Sequence, residues 1–283
     1  MTVSDVELAT LAATHDIINL GMLADSERRR RHGARTTFVR VGTVSATPGA
    51  PVHVPAAAGE LRIEGTPSSR ATAIQRVTEV AAAAGTVPIS GYSLAELEQM
   101  AAREAVTLRS LLEELRAAGL ELVAEAPVDL LQSARRSIEE VNIGGLTVAR
   151  VTVHRLHDPN MLVLFKSVVE LQRQVGVVRA FAPLPRTMNP AVPTTGYEDV
   201  KRIALARLVV DNVPSIQVDW LLYGPKLAQV ALTVGADDVD GVSAEDDMSE
   251  GRRRAPLEEI RRNIVAAGQD PVERNGRFDI VSS

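Results

Sequence analysis

No cysteine occurs among the 283 residues. That excludes disulfides, a thiolate nucleophile, cysteine-ligated zinc and cysteine-ligated iron–sulfur clusters. With no disulfide framework to form in an oxidising compartment, the cytoplasm is the expected location. Aromatics make up only 3%, with one Trp, three Tyr and four Phe, so the core must be aliphatic; 45% apolar residues suffice for a large one. Positive charge is not in excess either. The 31 Lys and Arg stand against 36 Asp and Glu, for a net charge of −5, which argues against a nucleic-acid partner. The one basic run, "ERRRRHG" (Glu27–Gly33), reads as a solvated helix face. No apolar run approaches the ~20 residues of a membrane span. The opening "MTVSDVELATLAATHD" carries acids and lacks the apolar centre of a signal peptide. Gly-x-Gly-x-x-Gly after the first strand, the Walker loop and Gly-x-Ser-x-Gly are all missing.

What is present is a rhythm. Ser4 with Glu7 reads as a capping box, and Leu8, Leu11, Ile17, Leu20 and Leu23 follow at helical spacing until Gly33. "TTFVRVGTV" (36–44) is β-branched and reads as a strand. Residues 45–69 are rich in Gly, Pro and Ala; they read as a loop, or as a short hairpin with "VHV" and "ELRIEG" as arms. From Ser69 on, helical and strand patterns alternate. The strands are read at "TVPISG", "LELVAEA", "LTVARVTV", "VVRAFAPL", "SIQVDWLLY" and "DVDGV", and the final helix at "PLEEIRRNIVAAG". Several helices stop at glycine. Such alternation predicts a parallel sheet with right-handed crossovers, and the number of units favours a closed barrel over an open sheet. The expected fold is α/β: a partial or compacted (β/α) TIM-type barrel in one domain, 1–283. Residues 1–35 form a helical N-terminal extension, 36–245 the barrel, and 246–283 a polar loop, a helix and a tail.

Parallel barrels place their sites at the carboxyl ends of the strands. The residues expected there are Arg155, Arg186, Asn189, Asp219 and the acidic turn Asp237, Asp238 and Asp240. Two arginines suit a carboxylate, by bidentate hydrogen bonding. The same arginines also fit solvated pairing with the aspartates. His154 and His157 lie at a strand exit without further ligands, so no metal site is expected. Asp158 before Pro159 reads as a helix cap. The helix opening at Gly224-Pro225 offers N–H groups that suit an anion.

One stretch is specific enough to carry a resemblance. "PTTGYEDVKRIALARLVVDNVPSIQVDWLLYGPKLAQVALTVGADDVDG" (Pro193–Gly241) resembles the C-terminal half of the radical SAM enzymes of the futalosine route to menaquinone, a family that includes aminofutalosine synthase, its partner cyclase and the deazaflavin-forming FO synthase. "ATHDIINLGMLADSERRRRHGARTTFV", "SLAELEQMAAREAVTLRSLLEELRAAGLE" and "APLEEIRRNIVAAGQDPVERN" resemble it in matching order. The family leads its first strand into a three-cysteine motif that holds an iron–sulfur cluster, on which SAM sits. Here that place holds "TVSATPGAPVHVPAAAGELRIEG", which has no thiolate, and His53 alone cannot replace three ligands. The family's glycine pair after the second strand is reduced to "TVPISGYS", and about one βα unit looks lost. The resemblance therefore implies a shortened member with no iron–sulfur cluster and no SAM. It implies a protein that acts in or near the futalosine route as a pseudoenzyme, binding a small anionic intermediate or pairing with an active radical SAM paralogue. Two alternatives stand beside it: non-radical acid–base chemistry in the same barrel, and a purely structural role.

Overall fold

The computed structural model describes residues 5–155, 161–187, 196–245 and 256–281. The chain enters through α1 (Asp5–Ala13) and α2 (Ile17–His32), followed by β1 (Arg35–Ser45) and β2 (Glu60–Glu64). Then come α3 (Arg70–Ala84), β3 (Ile89–Ser93), α4 (Leu94–Arg103), α5 (Leu108–Ala117), β4 (Leu122–Pro127), α6 (Ala134–Ile143), and the short β5 (Thr147–Val148) and β6 (Val151–Val153). The rest is α7 (Met161–Val175), β7 (Ala180–Pro185), α8 (Gly196–Val209), β8 (Ser215–Asp219), α9 (Trp220–Thr233), β9 (Asp238–Ser243), α10 (Pro256–Ala266) and β10 (Asp270–Arg274).

The strand order is β1-β2-β3-β4-β6-β7-β8-β9, and β9 pairs back with β1. Eight strands thus form the closed parallel ring of a (β/α) barrel, with β10 added beside β1 and β5 beside β4. The fold class read from the alternation holds. Two details differ from the expectation. Residues 45–69 contain no hairpin: Glu60–Glu64 pairs parallel to β1, with Val41 opposite Glu60 and Ser45 opposite Glu64, and "VHV" lies outside any strand. The strand ring is therefore complete, and what is lost is the helix between β1 and β2. "SIQVDWLLY" is also not one strand. It stops at Asp219, whose carboxylate caps the next helix, and "WLLY" is that helix's first turn.

The residues group into two compact units. Unit 1 comprises 1–38, 152–241 and 258–272; unit 2 comprises 39–151, 242–257 and 273–283. In unit 1, α8 is buried almost all round, with Ile203, Ala204, Leu205 and Ala206 inaccessible and α2, α7 and α9 packed about it. In unit 2, α5 follows the leucine periodicity of its sequence: Leu111, Leu112 and Leu115 are fully buried. The basic run on α2 is less solvated than its sequence suggests. Arg28 is fully buried and bonds Asp25 at 2.9 Å, and Arg31 reaches Glu27 and the carbonyl of Asp211. The capping-box residue Ser4 lies outside the described residues. Among the described residues no helix is long and apolar enough to cross a membrane.

Candidate functional site

Unit 1 brings the strands β7, β8 and β9 together. Side chains alternate along a strand, and residues in parallel register share a face. Gln217 and Asp219 on β8 lie opposite Asp238 and Asp240 on β9, so these four buried polar residues share one face. Ile216, Val218 and Val239, also buried, take the other.

Asp219 closes β8 and does two jobs. Its Oδ1 accepts the Leu222 N–H at 2.9 Å, capping α9, and its Oδ2 accepts Arg186 Nη2 at 3.0 Å. Arg186 stands one residue past β7, and both partners are largely sheltered, at 20% and 6% exposed. Gly241, inside β9, has φ +72, and a Cβ there would come within 3.0 Å of Asp219 Oδ1, so the strand needs glycine at this point to leave the carboxylate its place. The Tyr223 hydroxyl donates to the Pro185 carbonyl, and burial pushes its phenol above the usual range. Gly224, at φ 76 and ψ 167, breaks α9 after this first turn, and Pro225 restarts it.

Asp237 and Asp238 sit elsewhere. They open β9, whereas Asp219 closes β8 and is level with Asp240. Asp237 accepts the Ile216 N–H at 2.9 Å and the guanidinium of fully buried Arg207, whose Nε donates to Gly235 O at 2.8 Å. His32 Nε2 lies 3.5 Å from the other Asp237 oxygen. Burial, helped by Arg207, Arg35 and Arg31, pushes the His32 pKa below its ordinary value, and Asp237 opposes this. Asp238 accepts Thr37 Oγ1 at 2.5 Å and Gln217 Nε2 at 2.7 Å.

The predicted set is thus split. Arg186 and Asp219 lie at the carboxyl ends of β7 and β8, and Asp240 is level with Asp219 in the middle of β9. Asp237 and Asp238 belong to the opposite ends of their strands, where they tie α2, α8 and β1 to the sheet. Arg155 is exposed two residues past β6, and Asn189 falls outside the described residues, as do His157 and Asp158. Sequence reasoning passed over Arg207 and Gln217. Arg207 did leave a signal: a lone cation inside the apolar run "IALARLVV" needs a buried anion. Among the described residues no group of three or more His, Asp or Glu could hold a metal.

Comparison with known proteins supports the resemblance. Residues 183–283 match the CofH/MqnC C-terminal region. The chain, which carries no cysteine, is similar in sequence to curated enzymes named aminodeoxyfutalosine synthase. It is 28% identical over 224 residues to aminodeoxyfutalosine synthase of Thermus thermophilus, covering 68% of this chain and 60% of that enzyme. It is 34% identical over 134 residues to the Streptomyces coelicolor enzyme of the same name, covering 40% of this chain and 34% of that one. The matched part thus spans less than two thirds of these relatives' length. In fold it is similar to methylornithine synthase (PylB), with a TM-score of 0.68 at 14% identity over 96% of this chain and 94% of that one. The region matched by the CofH/MqnC C-terminal model contains Arg186, Asp219, Asp240 and the first turn of α9.

The fold family implies an iron–sulfur cluster on the connection after β1. The residues there do not fit one. Cluster irons need thiolates, and residues 46–59 supply none. His53 is 73% exposed and pairs with Glu245 at 3.2 Å.

Proposed function

We propose that this chain is a cluster-less member of the futalosine-route family that generates no radical, and that it serves in or near menaquinone biosynthesis as a ligand-binding or partner subunit. The observation that carries the reading is the donor set: a chain without cysteine keeps the family's C-terminal half but has no ligands for the family's cluster. Without that cluster no electron reaches SAM, whatever else the barrel binds. The ligand we propose is a small anion of that route, held past the carboxyl end of β7 by Arg186, with Arg155, which follows β6, and Asn189, which follows Arg186 in sequence, as further candidate donors. The barrel's usual placement of pockets at this end supports the position. The protein's own partner at that site, Asp219, already engages Arg186 at 3.0 Å. An incoming carboxylate would share or displace that contact. An active radical SAM paralogue is the protein partner the reading suggests.

A second reading, non-radical acid–base chemistry, draws on one observation. Asp219 and Asp240 are register neighbours with buried side chains, so two carboxyl groups stand side by side on one face of the sheet.

Thermal stabilisation by aromatic carboxylates tests the binding reading. Those that bind should raise the melting temperature of the wild type and fail to raise that of Arg186→Ala. Equal stabilisation of both proteins rules out Arg186 as the anchor. Stoichiometric, chelator-resistant iron after anaerobic reconstitution with iron and sulfide overturns the cluster-less reading itself.

A further inference from the structure

The connection between β1 and β2 in unit 2 is not a loose loop. It converges on one residue of α3. Arg76 lies on the buried face of that helix with Ala73, Val77 and Val80, and its side chain is wholly inaccessible. Its Nε donates at 2.6 Å to the carbonyl of Ser45, the last residue of β1. Its Nη1 donates at 2.8 Å to the carbonyl of Ala50 and lies 3.0 Å from Glu79 Oε2. That same Glu79 oxygen accepts the Gly49 N–H at 2.9 Å. The loop start is tied to the next strand by Ala46 N–H to Glu64 O at 2.8 Å, and the loop end by Gly59 N–H to Arg40 O at 2.9 Å.

The end of β3 is closed in a related way. Tyr92 is 3% exposed with φ +61, a left-handed conformation that costs energy for a bulky side chain. It turns its hydroxyl onto the carbonyl of Ala73, one turn before Arg76 on α3, at 3.2 Å.

We infer that Arg76 is the organising centre of this end of unit 2. One buried cation, reading carbonyls and one carboxylate, folds the β1–β2 connection without metal, and Tyr92 fills the adjoining strand end. The polarity supports this. The loop aims carbonyl oxygens inward at a guanidinium, while a cluster would need anionic thiolates aimed inward at iron. The connection is therefore held by the protein's own groups, with no need of a metal. The inference deepens the cluster-less reading and does not depend on the anion site at Arg186.

Amide hydrogen exchange on the full chain tests it. In wild-type protein prepared in air, peptides covering 46–59 should be well protected. That protection should not change on adding ferrous iron with sulfide, or S-adenosylmethionine. In Arg76→Met, exchange across 46–59 should quicken about tenfold or more, since two charge-assisted hydrogen bonds are lost, while peptides of α8 and β8 stay unchanged. Arg76→Lys, with one point-like donor group, should fall between. Unchanged exchange in Arg76→Met overturns the inference and leaves the cluster-less reading standing. New protection of 46–59 with bound iron overturns both. If Arg76→Met does not fold, Glu79→Gln releases Gly49 alone; faster exchange confined to 46–50 supports the clasp, and none overturns it.

Discussion

Replacing Arg207 with Met tests how α2, α8 and β9 are tied together in unit 1. Arg207 is wholly buried, and its partner Asp237 is 3% exposed. Met keeps most of the stem's volume and removes the charge. Asp237 then retains the Ile216 N–H and the neighbouring His32. Breaking a buried pair from one side leaves the other charge stranded, at a cost of about 3–5 kcal/mol. For a chain of this size that is a fall of roughly 6–10 °C in melting temperature. The same substitution has a pH signature. In the wild type, burial and Arg207 hold the His32 pKa below its ordinary value. Neutral His32 therefore supports the fold above about pH 6.5 and that support is lost as pH falls toward the depressed value. Without Arg207, burial still lowers the His32 pKa but one opposing cation is gone while Asp237 still favours the proton, so His32 protonates more readily on acidification and partly restores the pair. The deficit of Arg207→Met should thus be larger at pH 8 than at pH 5.5. Urea midpoints at both pH values, followed by circular dichroism, measure it. A loss below about 1 kcal/mol at pH 8 would place the pair with ordinary surface bridges and refute the reasoning; a deficit that grows on acidification would refute the role given to His32.

The other expectations are simpler. Gly224→Ala should lose about 1–3 kcal/mol, because φ 76 with ψ 167 is a glycine conformation and nothing lies within 4 Å to clash, so the loss is backbone strain alone; an unchanged unfolding midpoint contradicts it. Glu27 is held down to about 2, first by its hydrogen bond to Arg30, and also by Arg31. Its stabilisation is full above about pH 4.5 and disappears as pH falls toward 2. Glu27→Gln should therefore cost under about 1 kcal/mol at neutral pH, because Arg30 is 62% exposed, and nothing in strong acid; a deficit that persists at pH 2 contradicts it.

Much of the fold was legible because it rests on local rules. The glycine stops and the alternation of helical and strand periods announce a parallel sheet, and the leucines of α5 fall where their spacing puts them. Boundaries were harder where one residue serves two elements. Asp219 ends β8 and caps α9 in the same position, and the apolar "WLLY" after it suits a strand as well as a helix. β2 was obscured for another reason. Its five residues carry Glu60, Arg62 and Glu64, and their polarity suggests a surface hairpin until Glu60, Arg62 and Ser90 are seen buried together, Ser90 Oγ and both Arg62 contacts meeting one Glu60 oxygen.

The candidate site was legible only in part, and the reason is register. "ADDVDG" presents three acids in four residues, and nothing local says which end of β9 each will occupy. The pairing of Gln217 with Asp238 decides it. Asp237 and Asp238 fall at the strand's start, where fixed donors already occupy them: Arg207 and a backbone amide for the first, Thr37 and Gln217 for the second. Asp240, two residues on, reaches the level of Asp219 and Arg186. An acidic turn read from sequence as one site is thus a structural tie at the start of β9 and, further along, a carboxylate level with Asp219, on a strand that advances about 3.3 Å per residue.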